Sequence, residues 1–178
     1  LDPINNIPFL STLACIIKGV DEYADLLRLS IATPSNDHRL GGDEAPPSII
    51  SMFLGDRINE VISSLIEGKE IGKTKKARFQ TGVSVIPDFA KDNTDRNRTS
   101  PFAFTGNKFE FRAVGSSESI AGANTVLNAI LAKEMQEMTN KISNGKEPLE
   151  VIREFLKGHK RIIFNGDGYS KEWEMEAE

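Results

Sequence analysis

Three short stretches of the chain hold residues whose types and spacing could do chemistry. The sharpest is Lys108-Phe-Glu-Phe-Arg112. In a strand, alternate side chains point to opposite faces, so Lys108, Glu110 and Arg112 share one face while Phe109, Phe111 and Ala113 share the other. The aromatic face suits a core. The charged face offers a carboxylate flanked by two cations. That fits a divalent metal, which takes oxygen ligands, or a phosphate-bearing substrate, which an arginine grips in a bidentate fork. The solvated outer face of an antiparallel strand would read the same way. Asp95-Arg-Asn-Arg98 could bind phosphate or form a capped turn. The loop Asn36-Asp-His-Arg-Leu-Gly-Gly-Asp-Glu-Ala-Pro-Pro47 gathers Asp37, His38, Arg39, Asp43 and Glu44 around two glycines that permit unusual backbone angles. A moving gate that carries a carboxylate and a plain polar connector both fit it.

Other chemistries lack their residues. There is no GxxxxGK[ST] phosphate loop and no GxSxG elbow, and Gly115-Ser-Ser-Glu-Ser119 and Gly166-Asp-Gly168 lack the strand-to-helix setting of a dinucleotide fingerprint. One cysteine and two histidines are too few for a zinc site of those types. Cys15 lies on an apolar helical face and reads as a small buried residue. With no internal disulfide to form, it points to a reducing, cytoplasmic setting.

The elements that must position these groups follow from periodicity. Phe9, Leu10, Leu13, Ile16, Ile17 and Val20 predict a helix over 7–20, with Asn6 as its cap and Pro8 in its first turn. A second short helix is expected from Asp21 to about Leu29, with Leu26, Leu27 and Ile31 inward, then a polar loop over 33–43. Apolar residues at i, i+3 and i+4 from Ile49 to Ile66 predict a helix over 46–66 that stops at Gly68. Residues 69–78 carry five basic residues and one acid and read as a solvated loop. Strands are expected at Phe79–Pro87, Pro101–Thr105 and Lys108–Val114. Helices return over 120–142 and 148–157. An extended piece over 161–164, a turn at 165–168 and an acidic helix capped by Ser170 close the chain. Helices, then strands, then helices argue for an α+β fold with an antiparallel sheet, not an alternating parallel one.

The 178 residues suffice for one domain with a real core, burying about 70% of the extended surface. Twenty-two basic against 26 acidic residues give a net charge of -4, so nothing points to nucleic acid. No apolar run approaches the roughly 18 residues of a membrane span. The chain opens at Leu1 and closes inside an apparent helix, so a segment of a longer polypeptide is expected.

The motifs converge on one family. His38-Arg-Leu-Gly-Gly-Asp-Glu-Ala-Pro-Pro47 and the block Asn97-Arg-Thr-Ser-Pro-Phe-Ala-Phe-Thr-Gly-Asn-Lys-Phe-Glu-Phe-Arg112 resemble glutamine synthetase. Val114-Gly-Ser-Ser117 and Ile163-Phe-Asn-Gly-Asp-Gly-Tyr-Ser-Lys-Glu-Trp173 resemble its type III branch. The resemblance covers nearly the whole chain in order. It implies ATP-dependent joining of L-glutamate and ammonium through γ-glutamyl phosphate, with Mg²⁺ or Mn²⁺. Position by position, Glu110 resembles the metal-ligand glutamate of the last active-site strand. Arg112 resembles an arginine that contacts glutamate or the transferred phosphoryl group, and Arg98 the phosphate-contacting arginine. Arg39 resembles the arginine that binds the substrate carboxylate, and Glu44 the flap glutamate that helps deprotonate ammonium. Lys108 falls where a nucleotide-contacting arginine often sits, but it cannot reproduce an arginine fork. Another arginine of the type I pattern is replaced here by Ala103 or Phe104.

The resemblance further implies that residues 1–178 are the C-terminal segment of a catalytic domain. The N-terminal β-grasp domain and the upstream catalytic half, with most metal ligands, would lie outside it. The parent enzyme would be a large ring-shaped homo-oligomer, and the segment alone would be inactive. Two rivals stand beside this reading: a non-catalytic binding or regulatory relative, and a γ-glutamyl ligase for another amine.

Overall fold

A computed structural model describes residues 6–42, 45, 47–69, 78–79, 89–90, 100–105 and 108–177. Helix α1 (Ile7–Glu22) starts where Asn6 accepts a bond from the Phe9 amide at 3.0 Å, with Pro8 in the first turn. It buries Leu10, Leu13, Ala14, Ile17 and Val20 against α5 (Ala121–Ser143) and α6 (Pro148–His159). Helix α6 answers with Val151, Ile152, Phe155 and Leu156. Between α1 and α5, Gly19 lets the backbones approach, because a Cβ there would overlap Ile130 Cγ2. Cys15 is buried beside Met138, as its apolar setting implied.

Helix α2 (Ala24–Leu29) is shorter than expected, and Leu26 is exposed while Leu27 and Ile31 are buried. Where a polar loop was expected stands α3 (Pro34–Arg39). Thr33 caps it, accepting from the Asn36 amide at 3.2 Å, and Pro34 fills its first position. The helix expected over 46–66 is a strand followed by a helix. Residues 47–51 carry no helix, β1 is Met52–Phe53, and α4 spans Gly55–Glu67 before Gly68 closes it at φ 68°. Ser51, Met52, Phe53 and Leu54 are all buried. Such a run reads equally as buried strand or buried helix, and tertiary pairing decides between them.

The sheet is mixed: the described strands of the 79–114 stretch pair antiparallel as expected, and the parallel member β1 comes from the stretch expected to be helical. Strand β1 pairs parallel with β4 (Phe102–Phe104), and β4 pairs antiparallel with β5 (Phe109–Phe111). Two short strands, β2 (Arg78–Phe79) and β3 (Phe89–Ala90), pair antiparallel, and most of the strand expected over 79–87 lies outside the described residues. The piece expected to be extended over 161–164 begins as a 3-10 turn, Lys160–Ile162. Ile163 then bridges Met52 on the far side of β1, and the Phe164 amide donates to the Met52 carbonyl at 2.8 Å. Asn165 Oδ1 accepts from the Leu54 and Gly55 amides, 3.0 Å each, and so caps α4 from a distant part of the chain. Ser170 caps α7 (Lys171–Ala177), where Trp173 stacks on Phe164 with ring centroids 3.9 Å apart.

Two glycine-to-alanine changes should move stability in opposite directions. Helical Gly→Ala normally stabilises by roughly 0.5–1 kcal/mol. Gly158 lies exposed in α6 with nothing within 4 Å of its would-be Cβ, so Gly158→Ala should show that gain. Gly19→Ala must displace Ile130, and overpacking of about 1–3 kcal/mol should make it destabilising. Urea unfolding of the two variants reads the signs directly.

Candidate functional site

Strand β5 presents the charged face. Its register sets Phe111 opposite Phe102, Glu110 opposite Ala103, and Phe109 opposite Phe104. The four phenylalanines gather on one side: Phe102 lies 5.7 Å from Phe109 and 6.0 Å from Phe111, and Phe104 lies 5.0 Å from Phe109, centroid to centroid. That leaves Glu110 on the other side, across from Ala103, which is wholly buried. The Glu110 side chain keeps 32% of its surface exposed and Lys108 65%. Lys108 Nζ sits 2.7 Å from Glu110 Oε1, and Thr105 Oγ1 donates to the same oxygen at 3.3 Å. The Lys108 ammonium holds the Glu110 carboxyl below the usual carboxylate range. A desolvation effect opposes it, and Thr105 and the positive Arg112 add to the lowering. An exposed pair of this kind contributes little stability. Its effect is to keep an ionised carboxylate in place on a partly exposed strand.

Helix α3 delivers Arg39 to the end of the same strand. Asn36 is buried, and its amide nitrogen donates to the Ile31 and Ala113 carbonyls, 2.8 Å each. Its Oδ1 accepts from Arg39 Nε at 3.2 Å and Nη2 at 2.9 Å, and Nη2 also reaches the Ala113 carbonyl at 3.4 Å. Ala113 directly follows Arg112. At the other end of α3, Thr33 and Ser35 both donate to Glu118, Ser35 at 3.0 Å. After α3 the chain turns sharply. The Gly41 amide donates to the Ala45 carbonyl at 3.1 Å, and Gly41 holds φ 87°, which other residues adopt only with strain.

Of the sequence-predicted site residues, Lys108, Glu110 and Arg112 stand together and Arg39 reaches the end of their strand. Glu44, Asp43 and Arg98 lie outside the described residues. His38 is exposed. Sequence reading missed Asn36, Thr33 and Glu118. Thr33-Pro34 is a legible helix start, but nothing in the spacing marks Asn36 as the joint between α3 and β5.

The aromatic face is a different kind of surface. A cleft of about 380 Å³ opens there between α1, the sheet and α5. Its ionisable lining residue is Cys15, whose thiol burial pushes up to about 11. A protonated thiol and the amides of Asn124 and Asn128, among aliphatic and aromatic side chains, bring no charge to offset a phosphate or carboxylate, so the charged face is the candidate site.

A family model described as the glutamine synthetase C-terminal domain matches residues 148–178. Over 96% of its length the chain is 46% identical to a type-3 glutamine synthetase of Dictyostelium discoideum, covering 24% of that protein. It is 48% identical to a glutamine synthetase of Butyrivibrio fibrisolvens and 39% identical to one of Bacteroides fragilis, over 99% of the chain and 26% of each relative. This chain belongs to the glutamine synthetase family. It spans about a quarter of the length of the relatives it matches. The segment matched by the glutamine synthetase family model includes Ile163 and Asn165, whose described role is to extend the sheet and cap α4.

The glutamine synthetase segment should show Glu110 titrating below the ordinary carboxylate midpoint of about 4.3 in carboxyl-carbon NMR. Because the lowering comes mainly from Lys108, Lys108→Ala should move that midpoint up. The linkage sign follows: the ionised pair favours the folded state above the ordinary midpoint, and that preference is lost as pH falls through the lowered one. An unmoved midpoint in the variant would show that the pairing does not hold in solution.

Proposed function

We propose that this chain is the C-terminal part of the catalytic domain of a type III glutamine synthetase, and that its parent polypeptide joins L-glutamate and ammonium at the expense of ATP. The observation that supports this most is the charged face of β5, where an ionised Glu110 lies between Lys108 and Arg112 and Arg39 is tied to the strand end. The reaction moves a phosphoryl group from ATP to the glutamate side chain, and ammonia then displaces phosphate from γ-glutamyl phosphate. Each step concentrates negative charge that fixed cations must offset.

In this reading Arg39 binds the substrate carboxylate, Arg112 contacts glutamate or the transferring phosphoryl group, and Arg98 contacts phosphate. Lys108 faces the nucleotide. Glu44 takes a proton from ammonium and closes over the acyl phosphate, which must be kept from water. Glu110 offers one oxygen ligand to a divalent ion. Among the described residues no group of three or more His, Cys, Asp or Glu side chains could hold a metal, so the remaining ligands must come from elsewhere. Mg²⁺ or Mn²⁺, when bound, supplies positive charge beside the phosphates. A β-grasp domain and further metal ligands would lie in other parts of the parent, which we read as a ring-shaped homo-oligomer of the cytoplasm. Among the described residues no helix is long and apolar enough to cross a membrane.

The test is ammonium-dependent glutamine formation by the parent polypeptide. With Mg²⁺ or Mn²⁺ the parent should form glutamine, and Glu110→Gln should lower the rate by about 10²-fold or more, the scale of losing one preorganised charge contact. The isolated 178-residue chain should form none. A parent that makes no glutamine would favour a binding or regulatory relative. A preference for simple amines over ammonium would favour a different γ-glutamyl ligase.

A further inference from the structure

Arg39 ends a six-residue helix, and an arginine on so short an element has many rotamers available. An arginine that must meet a carboxylate loses affinity if it has to be ordered on binding. We infer that Asn36 is the positioning residue that holds the Arg39 guanidinium beside β5, and that glutamate binding depends on it through Arg39. This rests on the reading of Arg39 as the substrate-carboxylate arginine.

The geometry is specific. A neutral amide has two N–H donors and an oxygen with two lone pairs. Asn36 uses all four: both donors go to backbone carbonyls, Ile31 on one side and Ala113 on the other, and the oxygen takes Arg39 Nε and Nη2. Its side chain cannot rotate without breaking two bonds to the main chain. The guanidinium is therefore referenced to Ala113, one residue beyond Arg112, and not merely to its own helix. This network leaves the two N–H groups of Arg39 Nη1 unused. Thr33 and Glu118 fix the other end of α3 and hydrogen-bond to neither Asn36's side chain nor Arg39's, Thr33 meeting Asn36 at its main-chain amide. They therefore provide a control for helix anchoring without guanidinium positioning.

The experiment is a double-mutant cycle in the assembled parent enzyme, reading the KM for glutamate, the KM for ATP, kcat and the melting temperature. Hydrogen bonds to a charged group of this kind correspond to about a tenfold effect or more. Asn36→Ala should raise the glutamate KM by about that factor and leave kcat and the ATP KM within about twofold. It should add nothing in an Arg39→Ala background. Thr33→Val should lower the melting temperature yet leave the glutamate KM unchanged. If Asn36→Ala does not assemble, Asn36→Ser, whose hydroxyl can serve only part of the network, carries the same expectations. A glutamate KM that rises as much in Thr33→Val, or Asn36 and Arg39 effects that simply multiply, would overturn the positioning role while leaving Arg39 as a substrate residue. An Arg39→Ala enzyme with an unchanged glutamate KM would instead remove the underlying reading of Arg39, and the proposal with it.

Discussion

The pairing of β4 with β5 is the constraint from which the site follows. Because side chains alternate, a single register decides which residues meet water. With Phe102 opposite Phe111 and Phe104 opposite Phe109, four aromatic rings pack toward the helices, and Glu110 is left on the opposite side, partly exposed, across from the buried Ala103. A slip of one residue would bury Glu110 and expose the rings, so the aromatic packing enforces the chemistry of the opposite face. Main-chain ties brace the same unit. The Arg112 amide donates to the Pro101 carbonyl at 2.8 Å, and the Thr105 amide to the Lys108 carbonyl at 2.9 Å.

Behind that sheet the helices are locked by charge as well as by packing. Lys18 on α1 is nearly buried and pairs with Glu134, which is wholly buried, and with Glu22 and Glu137 at 2.9 Å each. Burial alone would push the Lys18 ammonium down, but the three carboxylates outweigh it and hold it above its ordinary value. Asp21, also on α1, accepts from Arg161 Nε at 2.8 Å and lies 2.7 Å from His159 Nδ1. These pairs span the contacts of α1 with α5 and with the end of α6. They fix how the helices sit more than they add net stability, since desolvation offsets most of the attraction in such pairs.

How much of this was legible in the sequence depends on the distance over which each choice is made. Helices α1, α5 and α6 follow from local period, α1 with its Asn6 cap as well, and the two faces of β5 from simple alternation. The residue types that share the charged face of β5 were therefore readable, while Arg39 was singled out only by the motif it sits in. The helix expected over 46–66 failed because Ile49 to Leu54 satisfies two periods at once. The deciding partners, Phe102 and Ile163, lie 50 and more residues away. A polar stretch hid α3, although Thr33-Pro34 signalled its start. Nothing in the local sequence marks Glu134 as buried, because its partner Lys18 is far off in the chain. Asn36 is the most instructive case: a common loop residue whose importance comes entirely from two carbonyls and a guanidinium that the fold brings to it.

We propose that the β5 face and the end of α3 form one substrate-facing surface. A crystal structure of the parent polypeptide with glutamate and a non-hydrolysable ATP analogue tests it most directly. The expected result is Arg39 on the glutamate carboxylate, Arg112 toward the side chain or the terminal phosphate, and Glu110 on a divalent ion, all on the side away from the four phenylalanines. A structure in which other parts of the polypeptide cover that face, with both ligands bound elsewhere, would contradict that arrangement.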